Sequence, residues 1–253
     1  MRRIDAAATQ LSVARLDGPR WPLATLLAGA GSAGCLALMR FVDRPLAEHF
    51  RPHSGPIFQL AAWLTTLGEA GWWLIPSLAI YLGARLVWRS PLLAGRALFV
   101  FAAVAGSGLL VDLIKPLLGR ARPTLLFSKH VYGFSYLHLA ASYESFPSGH
   151  TACAMGAGVA LGLLAPRYRP FWIALGLLVG FTRVIVTAHY LSDVVASVLL
   201  SLWMVLWLER LFASHGVVVC PSARCPARML RSQLAKRLLG HADAGARPFS
   251  GPP

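Results

Sequence analysis

Three groups of residues, far apart in the sequence, carry side chains that could act together on a phosphate group. They are Lys115 with Arg122, the run Ser148-Gly149-His150, and the set Arg183, His189 and Asp193. Three cations can neutralise a phosphoryl dianion and the charge that develops during its transfer, and an arginine can bind it through two parallel hydrogen bonds. The residue types therefore indicate phosphoryl-transfer chemistry.

Each remaining residue has a task in that chemistry. His189 and Asp193 are four residues apart and would share one face of a helical turn. A carboxylate that accepts the Nδ1 proton of His189 would leave Nε2 as the nucleophile and stabilise the imidazolium form. His150 could protonate the leaving alkoxide and later activate the water that hydrolyses a phosphohistidine. Ser148 is predicted to be the N-cap of a helix, where Gly149 would let free N–H groups approach the anion.

The composition indicates that these residues belong to a membrane protein. Hydrophobic residues make up 56% of the 253 residues, charged residues only 13%, and the mean hydropathy is +0.58. A soluble domain usually carries about 25% charged residues. Lysine and arginine total 24 against 10 aspartates and glutamates, a net charge of +14. The arginine-rich loops of a membrane protein explain this excess better than nucleic-acid binding does, because the charges alternate with apolar segments.

The apolar segments predict an all-α, polytopic bundle of six transmembrane helices. The six predicted spans cover residues 21–39, 71–88, 92–111, 151–165, 171–188 and 191–208. A further apolar stretch, residues 57–67, is too short to span a bilayer and is predicted to form an interfacial or re-entrant helix.

The distribution of positive charge predicts the orientation of this bundle. With six spans both termini lie on one side, and that side carries most of the arginines, among them Arg2, Arg20, Arg85, Arg89 and Arg167. The positive-inside rule makes it the cytoplasmic side of an inner (plasma) membrane. The three chemical groups all emerge on the opposite face, although none of them was used to count the spans.

We expect three regions along the chain: a cytoplasmic segment 1–20, a membrane domain 21–211 and a basic cytoplasmic tail 212–253. Within the tail, residues 227–239 fit either a basic amphipathic helix on the inner leaflet or a disordered extension. Cys35 and Cys153 fall in apolar segments and are predicted to be small buried side chains. Cys220 and Cys225 match no common zinc spacing, so no metal site is predicted.

The three groups together resemble the signature of the type 2 phosphatidic acid phosphatase (PAP2) superfamily. That signature is Lys-x6-Arg-Pro, then Pro-Ser-Gly-His, then Ser-Arg-x5-His-x3-Asp, and the resemblance covers about residues 92–208. One position departs from it: Thr182 stands where serine is usual and keeps the hydroxyl. The resemblance implies a metal-independent phosphatase that needs no cofactor and acts through a phosphohistidine, with His189, His150 and Asp193 catalytic. The phosphate-binding residues it implies are Lys115, Arg122, Arg183, Ser148 and Gly149.

The expected substrate is a phosphate or pyrophosphate monoester of a membrane lipid. Phosphatidic acid, phosphatidylglycerol phosphate, undecaprenyl pyrophosphate and lipid A phosphates all fit the motifs equally well. Transfer of the phosphoryl group to another hydroxyl is the main alternative to hydrolysis. A vanadate haloperoxidase-like protein and a non-enzymatic membrane transporter are further alternatives. Specificity is expected from the loop 124–146 and the stretch 57–67.

Several residues near the motifs allow more than one interpretation. Arg120 fits either a phosphate contact or a solvated loop charge, and Asp112 is predicted to be a structural partner of Lys115. The loop residues His130, His138 and Glu144 fit either solvent-exposed positions or headgroup contacts. The loop aromatics are predicted to form an interfacial belt; they are Tyr132, Phe134, Tyr136 and Tyr143.

Overall fold

The computed structural model describes residues 21–51, 55–215 and 217, with side chains described from Gly29 onward. The predictions for the segment 1–20, for the helix 227–239 and for Cys220 and Cys225 therefore lie outside the described residues. Cys35 and Cys153 are buried free thiols, as predicted.

The described part of the chain is all-α, as the sequence predicts, and contains no β-strand. A single backbone bridge joins Arg120 and Phe134. The helices are α1 Trp21–Phe41, α2 Asp43–His49, α3 Pro56–Leu64, α4 Gly71–Leu86, α5 Pro91–Leu118, α6 Pro123–Lys129, α7 Gly149–Leu164, α8 Arg169–Ile185 and α9 Leu191–Ser214. Short 3-10 turns cover Thr65–Gly68, Ala141–Tyr143 and Pro166–Tyr168.

A helix forms in each of the six segments predicted to span the membrane. Among the residues whose side chains the structure describes, three helices are long and apolar enough to cross a bilayer, namely α5, α9 and α8 together with the turn before it, while α7 is apolar but shorter. Large apolar side chains such as Ile75, Leu109 and Trp203 are exposed on the outer surface of the bundle. Exposed apolar faces of this kind are expected where lipid surrounds the helices. The fold is therefore that of a membrane protein.

Close helix packing surrounds α7, which is buried along almost its whole length. Its small residues let neighbouring backbones approach: a Cβ added to Gly158 would lie 2.6 Å from the carbonyl oxygen of Trp172 in α8. The main apolar cluster lies on the other side, where Phe99 and Ala103 of α5 pack near Met155 of α7 and Val205 of α9. Packing of small residues against backbone is typical of membrane helix bundles, and it holds α7 firmly at the centre.

Helix α5 is longer than the predicted span and changes the setting of the first motif. It continues to Leu118, so Lys115 lies in its last turn and not in a loop. The helix ends at Gly119, which has φ +58°, and a Cβ there would lie 1.9 Å from the carbonyl oxygen of Ser135. Only glycine accommodates both the left-handed backbone and this close approach. The turn directs the next residues, Arg120 to Arg122, back under the bundle end.

The short helix α3 and the turn that follows it confirm that residues 57–67 are helical. With 9 residues, α3 is too short to cross a bilayer. The turn ends at Gly68, where an added Cβ would lie 2.7 Å from the Cβ of His150. This segment therefore packs directly on the second motif.

Candidate active site

The end of α5 and the start of α7 bring the first two motifs into contact. The Nζ atom of Lys115 lies 3.1 Å from the position of a Cβ on Gly149. It also donates a hydrogen bond to Oδ1 of Asp112 at 2.7 Å, which confirms Asp112 as its partner. A cationic group thus lies beside the first residue of α7.

Ser148 is the N-cap residue of α7, as predicted, but its side chain does not cap the helix. Its buried hydroxyl accepts a hydrogen bond from Oγ1 of Thr151 at 2.9 Å, and no side-chain hydrogen bond to the first N–H groups of α7 is found among the described residues. The first N–H groups of a helix carry a partial positive charge and can bind an anion when no cap occupies them. The start of α7 can therefore offer main-chain donors to a phosphate.

The link between α8 and α9 positions the third motif. Arg183 lies in the last turn of α8, and its carbonyl oxygen accepts hydrogen bonds from the N–H of Ala188 at 3.0 Å and of His189 at 3.2 Å. This tight turn requires Thr187 to adopt φ +51°, an uncommon conformation for a β-branched residue. The following helix begins immediately after Tyr190, so His189 is held between two helix ends and is 97% buried.

The side chain of His189 does not form the predicted hydrogen bond with Asp193. Its Nδ1 lies 2.6 Å from the carbonyl oxygen of Ser145 and 3.7 Å from Oδ2 of Asp193, which is beyond hydrogen-bonding distance. A carbonyl oxygen can only accept, so Nδ1 must carry the proton and Nε2 the lone pair. The lone pair on Nε2 is therefore free, as was expected. The group that holds the Nδ1 proton is the main-chain oxygen of Ser145 and not the carboxylate of Asp193.

Asp193 instead organises the groups around it. It accepts hydrogen bonds from Oγ of Ser145 at 2.6 Å and from the N–H of Tyr190 at 2.8 Å. It also pairs with the guanidinium of Arg120. The carbonyl oxygen of the same Ser145 accepts the hydrogen bond from Nδ1 of His189. Asp193 therefore influences the position of His189 indirectly, through its hydrogen bond with the Ser145 hydroxyl.

Both interpretations of Arg120 from the sequence are wrong. Its side chain is 99% buried and forms ion pairs with Asp193 and, at 2.7 Å, with Asp43. Burial alone would lower its pKa, but the two carboxylates raise the pKa of Arg120 above its ordinary value. It therefore stays charged and unavailable to phosphate. Asp43 lies 77 residues away in the sequence, and no local pattern could have revealed this pair.

Aromatic rings surround the Arg120 guanidinium. The nearest is Tyr190, whose ring centre lies 4.5 Å from Cζ, followed by Phe134 at 5.4 Å and Tyr132 at 5.6 Å. The hydroxyl of Tyr132 donates to the carbonyl oxygen of Met39 at 2.6 Å. Cation–π contacts of this kind stabilise a desolvated guanidinium. Tyr132 is half-buried and Phe134 is exposed, so two of the rings predicted to form an interfacial belt also contact a buried charge.

Within the described part of the chain, Arg122 and Arg183 contact no carboxylate, whereas both terminal nitrogens of Arg120 bind one. Arg122 donates to the carbonyl oxygen of Glu144 at 3.3 Å, and Arg183 donates to Oγ1 of Thr65 at 3.0 Å. The buried Nε atom of each has no hydrogen-bond partner among the described residues. Lys115, Arg122, Arg183 and His189 are all close enough to act electrostatically on His150. The structure thus brings the three motifs together around one positively charged site.

The surroundings of His189 favour its neutral form. Burial lowers the pKa of His189 below its ordinary value, the nearby carboxylate of Asp193 raises it, and the cations Arg183 and Arg122 lower it further. A neutral imidazole with its lone pair on Nε2 is the form that can attack phosphorus. No cluster of metal-ligating side chains occurs in the parts of the chain that the structure describes.

Comparison with known proteins identifies the family. The PAP2 superfamily model matches residues 96–215. The lipid A 1-phosphatase of Rhizobium johnstonii is 33% identical over 197 residues, 74% of this chain and 80% of the relative. The lipid A 1-phosphatase of Rhizobium etli is 32% identical over 197 residues, 74% of this chain and 84% of that protein.

A solved structure supports the fold independently. The crystal structure of a transmembrane PAP2 type phosphatidylglycerolphosphate phosphatase from Bacillus subtilis matches with a TM-score of 0.55. The match covers 75% of this chain and 96% of that one, at 20% sequence identity. The three motifs, the helical membrane fold and the two relatives agree: the chain belongs to the PAP2 superfamily and is a phosphoric monoester hydrolase of that family.

Proposed function

We propose that this protein removes the 1-phosphate of lipid A through a phosphohistidine formed on His189. The observation that carries the mechanism is the hydrogen bond from Nδ1 of His189 to the carbonyl oxygen of Ser145, which leaves the lone pair on Nε2. The substrate follows from the two relatives that are named lipid A 1-phosphatases and that this chain matches over most of its length.

The first half of the reaction forms a bond between Nε2 of His189 and phosphorus while the bond from phosphorus to the lipid oxygen breaks. His150 donates a proton to the leaving oxygen. Lys115, Arg122 and Arg183 neutralise the phosphoryl oxygens, and Nε of each arginine offers a donor in addition to the contacts that hold its side chain. The carbonyl oxygen of Ser145 holds the Nδ1 proton, which stabilises the cationic phosphohistidine.

The second half returns the enzyme to its starting state. His150 accepts a proton from water as the water oxygen attacks phosphorus, and the bond from phosphorus to Nε2 breaks. Inorganic phosphate leaves and His189 is again neutral. If another hydroxyl replaces water, the same steps transfer the phosphoryl group instead, so the assay must measure both free phosphate and phosphorylated acceptor.

We further propose that residues 21–211 form one membrane domain of six spans in an inner membrane, with the site at its non-cytoplasmic face. The alternation of arginine-rich segments along the sequence supports this orientation. The contacts of the turn Thr65–Gly68 with His150 and Arg183 support the expected part of residues 57–67 in substrate specificity.

Replacement of His189 tests the nucleophile. His189→Ala should lower turnover by at least about 10⁴-fold, because no other side chain can form the intermediate. Label from ³²P-substrate that is stable in alkali and lost in acid, as expected of a phosphohistidine, should appear on the wild type and not on the variant. His215→Ala is the matched control, because His215 is exposed at the opposite end of α9. Full activity in His189→Ala would overturn the mechanism.

Phosphate release from a panel of lipids tests the substrate. Lipid A should exceed phosphatidic acid, phosphatidylglycerol phosphate and undecaprenyl pyrophosphate by at least about tenfold in kcat/KM. Lipid A phosphorylated only at position 1 should be hydrolysed, and lipid A that carries its phosphate only on the other glucosamine should not. A preference for any other lipid in the panel would contradict the substrate assignment and leave the nucleophile unaffected.

The acidity of His189 predicts the pH dependence. Protonated His189 cannot attack phosphorus, and its pKa is lowered from 6.5. Because His150 must carry a proton to act as the acid, a fall in pH to 6.5 should not lower kcat/KM, and a loss through protonation of His189 should appear only below pH 6.5. Measurement across pH 4–8, with folding checked at each pH, decides this. A decline that begins above pH 6.5 would show that His189 is not held neutral as described.

The contact between Thr65 and Arg183 predicts a role for the segment after α3. Thr65→Val keeps the shape of the side chain but removes the oxygen that receives the Arg183 hydrogen bond. KM should rise by about 2- to 10-fold, the value of one hydrogen bond. The neighbouring Thr66→Val is the control, because the hydroxyl of Thr66 donates to Trp63. Equal KM values in the two variants would exclude this role.

A further inference from the structure

Two buried residues outside the three motifs are tied to the active site. Asp43, the first residue of α2, and Arg120, just after α5, form an ion pair at 2.7 Å and are each 99% buried. The other arm of the Arg120 guanidinium pairs with Asp193. A charge so completely removed from water is costly unless it is paired, so loss of either partner should lower the stability of the fold.

Asp43 also holds the beginning of α9. Its Oδ1 accepts a hydrogen bond from the N–H of Ser192 at 3.0 Å, and its Oδ2 accepts one from the Ser192 hydroxyl. Arg120 lies 2.6 Å from the same hydroxyl oxygen. Since Ser192 follows His189 by three residues, these contacts determine where the chain that carries His189 enters α9.

A continuous chain of contacts leads from this pair to the imidazole. Arg120 pairs with Oδ1 of Asp193, while Oδ2 of Asp193 accepts from the hydroxyl of Ser145 at 2.6 Å. The carbonyl oxygen of the same Ser145 lies 2.6 Å from Nδ1 of His189. A change in the position of Asp193 would therefore move the group that orients the imidazole.

The same residues also determine the local charge. Two carboxylates and one guanidinium leave a net charge of −1 in a region where all three side chains are at least 99% buried. Such a charge acts strongly at short range because water does not screen it. It favours the positive charge that His189 acquires when phosphorus binds to Nε2.

We propose that Asp43 and Arg120 are positioning residues for the phosphoryl-transfer reaction, which orient and electrostatically support His189 through Asp193 and Ser145. The inference rests on the proposed function of His189 as the nucleophile. A purely structural anchor would affect only the amount of folded protein. A positioning residue also affects the turnover and the pH dependence that His189 determines.

Asp43→Asn tests this directly, because the amide keeps the shape of the side chain and removes one charge. Turnover should fall by about 10- to 100-fold, as expected for a misplaced reacting group, while competitive inhibition by inorganic phosphate stays within about twofold because no cation is changed. The acid limb of kcat/KM should move to lower pH, since one negative charge that favours protonated His189 is lost. The matched control is Glu48→Gln, an exposed carboxylate on the same helix, which should leave all three quantities unchanged.

The pH shift can be attributed to Asp43 because the other charged groups around His189 are kept. These are Asp193 of α9, Arg183 of α8, Arg122 of the loop after α5 and His150 of α7. A loss of activity that follows the folded fraction, with the acid limb unmoved, would overturn the proposal, and so would wild-type turnover.

If Asp43→Asn does not fold, Ser192→Ala is the second test, because it keeps every charge. Turnover should then fall several-fold with the acid limb unmoved, and unchanged turnover would overturn the proposal.

Rapid-quench measurement of the phosphohistidine separates failure of this inference from failure of the proposed function. Absence of the intermediate in the wild type would contradict the role of His189. Its formation in the wild type and at the same rate in Asp43→Asn would contradict the positioning role alone.

Discussion

A guanidinium enclosed between two carboxylates is the interaction on which the active end of this protein depends. Arg120, Asp43 and Asp193 come from three distant parts of the chain and are each at least 99% buried. Removing one partner from such a group leaves a charge without water or a counter-ion, at a cost of about 3–5 kcal/mol. Each of these charges is therefore stable in its buried position only when the other two are present. This requires contact between three segments: the beginning of α2, the turn after α5 and the first turn of α9. His189 and Ser145 are attached to that junction.

The two arginines on either side of Ala121 have different surroundings in the fold. Both terminal nitrogens of Arg120 bind carboxylates and aromatic rings enclose it, whereas Arg122, among the residues that the structure describes, donates only to the carbonyl oxygen of Glu144. The two arginines are two residues apart, so their different surroundings come from the partners that the fold brings to each of them: Asp43 to Arg120 and the carbonyl oxygen of Glu144 to Arg122. The buried carboxylates and Arg120 therefore lie near His189, on which Arg122 and Arg183 also act. In the reaction proposed above, the cations would favour the neutral imidazole and the carboxylates would support its cationic intermediate.

The family signature could be recognised from sequence because it consists of short, rigid local units. The spacing between Lys115 and Arg122 spans one helix end, Ser148 to His150 opens α7, and His189 to Asp193 opens α9. Helices could likewise be predicted in all six apolar segments, since each depends on a continuous run of apolar residues. The exact ends could not: α5 extends beyond the apolar run to Leu118, and the carbonyl oxygen of Gly119, where it ends, accepts a hydrogen bond from the N–H of Ser135, which is not adjacent in sequence.

The sequence by itself thus determined the fold class, the family and the residues of the three motifs, because hydropathy and local spacing encode them. Only the tertiary structure decided the partners of those residues. It assigned the Nδ1 proton of His189 to Ser145 and not to Asp193, and it enclosed Arg120 with Asp43 across 77 residues of sequence. Whether a buried hydrogen bond or ion pair forms depends on the distance between two atoms, to within a few tenths of an ångström, and on the exclusion of water. Both are properties of packed helices, and neither is present in the order of residues along a chain.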